Sequence, residues 1–480
     1  MSGISSIGIH IPRLRLPLSL INAPDAKPSR AEKAVAGFDE DVITMAVSAA
    51  RDCLRNAESG PVDGLYLATT TSPFSEKSAA AIVAKALNYS EHVFTADFGA
   101  SLRSSAAALR AAMDAVAAGR AQRVLVIASD IRTAEPYSAQ EQQLGDAAVA
   151  LLVDANGALR LESDAVVSRQ LYDVWREDGA ATLRSWEDRF ILKHGYQEGV
   201  VAAMASLAAR GGPAVGSVRY LACYAPDFRS YRSLGRHLGY DAQQLVQPLF
   251  GRVGNCGVAM VPLLLAQAVD DMTAGERLVT VSYGDGAHAM SWILDAAGHL
   301  GQSSLSRQLG ARLQMRSYRH YLQCRGLDVN RVPVNPAEGI SATTSFREQD
   351  ADIAFLAARC LACGTEQFPP TRLCYRCHEQ DNLETAPLSS RRAHVASYTR
   401  DYFFPSPVPP VVAGMCEVEG GARVYVQMAD YDNRELHTGM PVEFVFRRIH
   451  KAGGKPAYFW KSRLIDSTET VEATTERSAE

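Results

Sequence analysis

Four cysteines in the last third of the chain have the residue type and the spacing for metal binding. They form two Cys-x-x-Cys pairs, Cys360 with Cys363 and Cys374 with Cys377, and ten residues separate the pairs. Four thiolates in this arrangement complete the tetrahedral coordination of one Zn²⁺ and leave no open position for a reactant. The spacing therefore predicts a structural zinc ribbon, with a redox dithiol as the weaker alternative.

A second stretch, residues 95–109, has the succession of secondary-structure elements that is typical of a nucleophile site. It is predicted to be a short strand, a turn of small residues and an Ala-rich helix that runs to about Ala118. The free N–H groups and the dipole at a helix start favour negative charge, so a cysteine there would have a lowered pKa and could attack a thioester. The stretch contains no cysteine, and Ser101 and Leu102 lie in its turn.

Composition places the chain among globular proteins of more than one domain. It has 480 residues, 47% hydrophobic and 21% charged, with a net charge of -4. This charge gives no reason to expect nucleic acid as a partner, and no apolar run reaches the ~20 residues of a membrane span. With no signal peptide at the start and cysteines that are clustered or scattered, we predict a cytoplasmic, reducing location with free thiols.

Strands and helices alternate along the first 300 residues, which predicts an α/β fold. The strand at 62–68, the strand at 123–128 and the junction Gly145-Asp146 have counterparts in 218–223, 278–283 and Gly284-Asp285. This order predicts two copies of one βαβαβ-type unit. Residues 22–36 are polar and are predicted to be a loop, and 171–190 are predicted to be a surface insertion or cap.

The rest of the chain changes character. Short strands are predicted at 393–400, 411–418, 423–429, 442–447 and 457–461, with glycines between them, and five short strands after a zinc site indicate an OB-type barrel. The predicted domains are two α/β halves, a linker, a zinc ribbon, an OB-fold and a disordered tail, at residues 1–160, 161–300, 301–350, 351–385, 386–466 and 467–480.

The first 300 residues resemble the thiolase superfamily, and within it hydroxymethylglutaryl-CoA synthase and ketoacyl-ACP synthase III. The matching stretches are 68–78, 95–109, 128–153, 220–240 and 254–268. The resemblance implies a five-layered fold, a coenzyme A thioester or an acyl-carrier substrate, and a homodimer. The C-terminal part resembles zinc-ribbon/OB proteins that accompany thiolases, which implies a role in the CoA channel and a possible thiolase partner.

The resemblance also assigns site residues. The family's nucleophilic cysteine falls on Leu102, its histidine on Tyr224 of Tyr-Ala-Pro, and its glutamate on Thr70, whereas its asparagine is kept as Asn255. A one-residue shift would offer Ser101 in place of Leu102. Tyr224 is either a proton donor or a space-filling aromatic, and Thr70 either acts in the site or caps a turn.

Three further side chains lie in these stretches. Arg229 stands where the synthases place a lysine, so it either meets a CoA phosphate or is a solvated surface residue. Cys223 and Cys256 are predicted to be buried and inert.

Two functions follow from this pattern. The first is an acyl-CoA-dependent acyltransferase or condensing enzyme that works without the cysteine, through Tyr224, Asn255 and backbone N–H groups near Ser101. The second is a non-catalytic scaffold that binds acyl-CoA or a thiolase through its zinc-ribbon/OB module.

Overall fold

We describe the protein from a computed structural model. It describes residues 2–23, 26–297, 300–301, 303–328, 341–404, 406–452 and 455–465, so the predicted tail 467–480 lies outside the described residues. These residues fall into two compact units, one running to Arg325 apart from Lys85–Asn88, and the other holding the remainder. Within the described ranges, no helix combines the length and the apolar character that a bilayer crossing requires.

The first unit contains both strands and helices. Its strands are β1 (Gly3–His10), β2 (Leu14–Pro17), β3 (Glu32–Val35), β4 (Gly64–Ala68), β5 (Phe94–Phe98), β6 (Arg123–Asp130), β7 (Ala147–Asp154), β8 (Leu159–Ser168), β9 (Val174–Trp175), β10 (Arg184–Ser185), β11 (Tyr220–Cys223), β12 (Arg277–Tyr283), β13 (Gly286–Leu294) and β14 (Leu313–Gln314). Its α-helices are α1 (Ser19–Asn22), α2 (Val42–Arg55), α3 (Ala80–Ala86), α4 (Ser104–Ala117), α5 (Ala139–Gln143), α6 (Asp188–Phe190), α7 (Glu198–Ala209), α8 (Phe228–His237), α9 (Met260–Val269), α10 (Leu305–Gly310) and α11 (Tyr318–Arg325). A π-helix (Ile191–Gln197) and two 3-10 turns (Val215–Ser217 and Gly257–Ala259) complete them.

One nine-stranded sheet confirms the predicted duplication. Its order is β11-β12-β13-β8-β1-β7-β6-β4-β5. In the first half β4 and β6 are parallel neighbours, and β7 and β1 follow antiparallel. In the second half β11, β12, β13 and β8 repeat that pattern of directions. The two half-sheets meet through a two-residue pairing of β1 with β8.

Helices cover both half-sheets in the five layers that were predicted. Helix α2 packs on β1, β6 and β7, and α7 packs on β8 and β13. Between the half-sheets, α4 packs on β4 and β6, and α9 packs on β11 and β12. Small buried residues such as Ala108 and Ala112 allow α4 to fit in this middle layer. The middle layer therefore places the starts of α4 and α9 close to both halves.

The predicted loop at 22–36 is wrong in its last part, because β3 is a buried strand. Its polar side chains are compensated: Arg312 pairs with Glu32 at 3.0 Å, and Lys33 Nζ donates to the Glu141 carbonyl at 2.6 Å. A polar sequence therefore forms a buried strand where tertiary partners replace water. The predicted linker, 301–350, contains α10 and α11, which belong to the first unit, and most of a further helix, Ala342–Asp352.

Lys33 gives the fold a specific pH dependence. The side chain is 1% exposed, and burial lowers its pKa from 10.5 to about 7. Between these two pH values the unfolded chain binds more protons than the folded chain, so stability rises with pH through this window and is flat below it. We expect the Lys33→Met variant to lose a slope of about 1.4 kcal/mol per pH unit in the free energy of unfolding from pH 7.5 to 10. Urea titrations at several pH values measure this slope.

The exposed Lys27→Met variant is the matched control and should keep the wild-type slope. An unchanged slope in Lys33→Met would contradict the assignment of this pH dependence to Lys33.

The second unit contains α12 (Ala342–Asp352) and two small sheets. The first sheet has β15 (Leu356–Cys360), β16 (Glu366–Gln367) and β17 (Leu383–Pro387), in the order β16-β15-β17. The second has β18 (Ala393–Asp401), β19 (Val411–Val418), β20 (Arg423–Gln427), β21 (Pro441–Ala452) and β22 (Lys455–Leu464), in the order β20-β19-β18-β21-β22. The two edges of this second sheet meet through one parallel bridge, between Met428 and Ser462. The strands predicted for an OB-type barrel therefore form a curled sheet, and within the described residues no continuous ladder of hydrogen bonds closes it into a barrel.

Candidate functional site

Tyr224 and Asn255 are hydrogen-bonded to each other in the first unit. The Asn255 amide nitrogen donates to the Tyr224 hydroxyl and to the Ala225 carbonyl, both at 3.1 Å, and the Asn255 amide oxygen accepts from the Gly257 N–H at 3.0 Å. A backbone N–H can only donate, so this bond fixes the orientation of the amide. The Tyr224 oxygen therefore accepts from Asn255, and its own proton points elsewhere. No acceptor for that proton is found among the residues that the structure describes.

Backbone contacts between the halves hold Asn255 in place. Its N–H donates to the Gln143 carbonyl at 2.6 Å, and its carbonyl accepts from the Gly145 N–H at 3.0 Å. A Cβ on Gly145 would lie 1.8 Å from the Val253 carbonyl oxygen, so this close approach requires glycine. The two glycine-containing turns that the sequence repeats are thus packed against each other.

Two more tyrosines surround Tyr224. Tyr283 stacks on it with ring centroids 6.0 Å apart, and the Tyr196 hydroxyl donates to the Tyr224 carbonyl at 2.7 Å. The Tyr283 hydroxyl donates to Asp173 at 2.7 Å. Burial raises the pKa of both Tyr196 and Tyr283, so both stay protonated. Of the three tyrosines, Tyr224 is the one whose proton has no such acceptor in the described structure.

Thr70 lies in a hydrogen-bonded cluster around Asp130, which the sequence analysis missed. The fully buried Asp130 carboxylate accepts from the Thr70 N–H at 2.8 Å and from the hydroxyls of Thr69, Thr70 and Thr71 at 2.9–3.1 Å. It also accepts from the Val258 N–H at 3.1 Å, in the 3-10 turn before α9. Asp130 therefore fixes the turn after β4 against the segment that carries Asn255, and Thr70 is part of this structural cluster.

The start of α4 contains two hydroxyls without partners. The Ser101 and Ser104 oxygens are buried, and neither has a hydrogen-bond partner within the described ranges. Gly284 approaches this turn so closely that a Cβ on it would lie 2.8 Å from the Ser101 oxygen. Leu102 packs against the apolar core. Gly284, which contacts this turn, directly follows Tyr283, and the Tyr283 ring stacks on Tyr224. The start of α4 therefore lies near the Tyr224 ring.

The segment 171–190, predicted as a surface insertion or cap, contacts these residues. It contains the short hairpin of β9 and β10. From it, Asp173 accepts from Tyr283, and the Arg176 guanidinium donates to the Thr70 carbonyl at 2.8 Å. The segment is therefore bonded to two residues of the candidate site and acts as a cap on it.

Three other side chains were noted in the sequence. One of them, Cys223, belongs to this hydrogen-bonded group, because its thiol donates to the Tyr224 carbonyl at 3.2 Å. Arg229 is exposed on the first turn of α8, which Asp227 caps. Cys223 and Cys256 are 1% exposed. Burial raises the pKa of Cys223 to about 12 and raises that of Cys256 as well, so both are neutral thiols near pH 7.

The four predicted zinc ligands converge in the second unit. The sulfur atoms of Cys360, Cys363, Cys374 and Cys377 all lie within 4.8 Å of one another. Two of the pairs, Cys360 with Cys377 and Cys363 with Cys374, are 3.6 Å apart. Zn–S bonds of about 2.3 Å in a tetrahedron require sulfurs about 3.8 Å apart, so the geometry fits one Zn²⁺ with a closed coordination sphere.

Comparison with known proteins defines the class of both units. Residues 347–384 match the family "ChsH2, rubredoxin-like zinc ribbon domain", and residues 387–447 match "ChsH2, C-terminal OB-fold domain". A crystal structure of HMG-CoA synthase complexed with CoA superposes with a TM-score of 0.62 and 20% identity, covering 71% of this chain and 94% of that one. The chain thus joins a thiolase-like fold to a zinc ribbon and an OB-fold domain.

Sequence comparison makes the relationship of the first unit more specific. The hydroxymethylglutaryl-CoA synthase of Methanosphaera stadtmanae is 29% identical over 299 residues, covering 60% of this chain and 86% of that enzyme. A 3-oxoacyl-(acyl carrier protein) synthase III from Pseudomonas aeruginosa superposes with a TM-score of 0.55 and 18% identity, covering 61% and 98%. The first unit is therefore similar to hydroxymethylglutaryl-CoA synthases in sequence and in fold, the resemblance that the motifs predicted.

Proposed function

We propose that this protein binds an acyl-CoA and catalyses acyl transfer or carbon–carbon condensation without an acyl-enzyme. The observation that carries the proposal is the Tyr224 hydroxyl, whose oxygen accepts from Asn255 while its proton has no acceptor among the residues that the structure describes. A phenol held in this way can donate to a carbonyl oxygen on which negative charge develops. The homology to hydroxymethylglutaryl-CoA synthases supports a CoA thioester as the substrate.

The absence of an acyl-enzyme follows from the side chains near the helix start. We assign the nucleophile position of the family to Leu102, which has no atom that can take an acyl group. Cys223 and Cys256 are buried neutral thiols, and Ser101 has no base bonded to its hydroxyl in the described structure. The remaining contribution is positioning of two substrates and stabilisation of the oxyanion.

In the proposed reaction each residue has a defined part. Tyr224 donates a hydrogen bond to the reacting carbonyl oxygen, and Asn255 holds the Tyr224 oxygen so that its proton faces the substrate. Ser101 and Ser104, whose hydroxyls have no partner among the described residues, offer them to the thioester at the start of α4. Thr70 holds the facing turn through Asp130. A solved curacin-pathway HMG synthase is in complex with a holo donor-ACP, which makes an acyl-carrier substrate the alternative donor.

The test incubates the full-length protein with labelled acetyl-CoA and acetoacetyl-CoA. We expect labelled product and free CoA, with no label on acid-precipitated protein. Label on the precipitated protein would show an acyl-enzyme and contradict the proposed mechanism. If neither product nor CoA forms while acyl-CoA raises the melting temperature, the scaffold hypothesis, with a thiolase as partner, replaces the enzyme.

Arg229 is proposed to bind a phosphate of CoA. It is exposed on the first turn of α8, so its guanidinium is accessible to a phosphate group and can bind it through charged hydrogen bonds. We expect Arg229→Ala to raise the Kd of CoA about tenfold in calorimetry, since a charged hydrogen bond contributes about 1.5–3 kcal/mol. Arg236→Ala, on the last turn of the same helix, is the control and should leave the Kd unchanged. Equal effects of the two variants would remove Arg229 from the site.

We also propose a homodimer formed through β5. This strand is the edge of the nine-stranded sheet, and Phe94 at its start is 62% exposed. An unpaired edge with an exposed aromatic is a template for pairing with a second copy. Phe94→Asp is expected to shift the protein from dimer to monomer in light scattering. Tyr425→Asp, which changes an aromatic 63% exposed in the second unit, should stay dimeric.

None of the nine cysteines, all of which lie in the described residues, is in a disulfide: four are the proposed zinc ligands and five are free thiols. This supports a reducing compartment, and we propose the cytoplasm.

A further inference from the structure

A polar cavity lies at the C-terminal end of α7, away from the candidate site. Its volume is about 260 Å³, and it is lined by Glu162, Ser163, Arg210, Gly211, Pro213, Ser217 and Arg277. Gly199, in the first turn of α7, faces Tyr283, and Arg210 follows the last residue of the helix. The twelve residues of α7 span about 18 Å, so the length of the helix separates this cavity from Tyr283 and Tyr224.

The acceptors that line the cavity are already satisfied. Both Glu162 oxygens accept from Arg277, at 3.0 and 3.2 Å from its Nε, and one of them also accepts from Ser291 at 3.2 Å. The Ser217 hydroxyl donates its proton to the Ala214 carbonyl at 2.8 Å. Few acceptor groups in the lining are therefore left to bind a cation or a hydrogen-bond donor.

The donors, in contrast, are in surplus. The Ser163 hydroxyl oxygen is buried and has no hydrogen-bond partner in the part of the chain that the structure describes. The Arg210 guanidinium carries five N–H groups, and within the described ranges it makes one long bond, 3.4 Å to the Asp164 carbonyl. Two guanidinium groups, those of Arg210 and Arg277, face one carboxylate, so the lining has a net positive charge.

We propose that this cavity binds a compact oxyanion, the phosphate group of a small ligand. A surplus of donors around a net positive charge favours a group with several acceptor oxygens, and a guanidinium binds phosphate through paired N–H groups. Phosphate oxygens would accept from Arg210 and from the Ser163 hydroxyl, and this would satisfy the unpartnered group. The ligand is either free phosphate or a phosphate monoester that reaches the cavity with its terminal group.

The experiment titrates the full-length protein by calorimetry with inorganic phosphate, with adenosine 3′-monophosphate, and with acetate as a carboxylate control. We expect saturable binding of phosphate, weakened at least about tenfold in Arg210→Ala and weakened less in Ser163→Ala. Arg219→Ala is the matched control, because Arg219 pairs with Glu276 and does not line the cavity. Tighter binding of the monoester than of free phosphate would identify a larger ligand.

The proposal is overturned if wild-type protein shows no saturable binding of either phosphate probe, or if acetate binds as tightly as phosphate. It is also overturned if Arg210→Ala and Arg219→Ala bind phosphate equally. Arg210→Lys, which keeps the charge, should fall between wild type and Arg210→Ala, and its melting temperature checks that the end of α7 is intact.

Discussion

Loss of one zinc ligand is expected to unfold the ribbon of the second unit. In Cys374→Ser we expect zinc content to fall from one ion per chain toward zero. Folding of a Cys₄ site depends on the metal, and zinc contributes about 10 kcal/mol or more to such small sites. Hydrogen exchange should then become fast across β15, β16 and β17, and a strong chelator should have the same effect on the wild-type protein.

The control for this experiment is a cysteine of the same unit outside the cluster. Cys416 is buried in β19 of the OB-fold sheet, so Cys416→Ser tests the loss of a buried thiol without loss of a ligand. It should keep one zinc per chain and slow exchange in the ribbon. A metal-free wild-type protein with unchanged exchange would show that the four thiols are not a structural zinc site.

The sequence predicted the zinc cluster well because its information is local. Two Cys-x-x-Cys turns position their own ligands, so spacing alone limits the geometry. The strands β11 and β12 were predicted for a similar reason, since buried parallel strands are continuous apolar runs. In the missed strand β8, Glu162 and Asp164 interrupt such a run. Their partners, Arg277 and His288, lie more than 100 residues away and are visible only in the folded chain.

The candidate site likewise has parts that the local sequence predicted and parts that depend on distant residues. Tyr224 and Asn255 were predicted separately from their turn motifs, and the hydrogen bond between them was not. Asp130 was missed because a single aspartate at the end of a strand has no local signature. Its donors come from Thr70, 60 residues earlier, and from Val258, 128 residues later. Such a residue is defined by the packing of the two halves, which one sequence does not reveal.

Tyr224→Phe is expected to reduce turnover by about two to three orders of magnitude, the usual cost of removing one oxyanion donor. The substitution keeps the ring that stacks on Tyr283. One N–H of the buried Asn255 amide stays bonded to the Ala225 carbonyl and the other loses its acceptor, so the free energy of unfolding should fall by about 1–3 kcal/mol. Steady-state kinetics with the CoA substrates, together with thermal melting, separates the two effects. The change should fall on kcat, because the proton is needed most in the transition state.

Tyr220→Phe is the matched control, because Tyr220 begins the strand that ends just before Tyr224 and its ring contacts the exposed Arg219 side chain. It should retain wild-type kcat. If Tyr224→Phe also retains it, the oxyanion donor is elsewhere, and the hydroxyls of Ser101 and Ser104 become the groups to test. If turnover falls while binding of the acyl-CoA is unchanged, the hydroxyl proton of Tyr224 acts on the reaction and not on substrate affinity. That result would explain how a thiolase-like site can work with Leu102 in the place of a nucleophile.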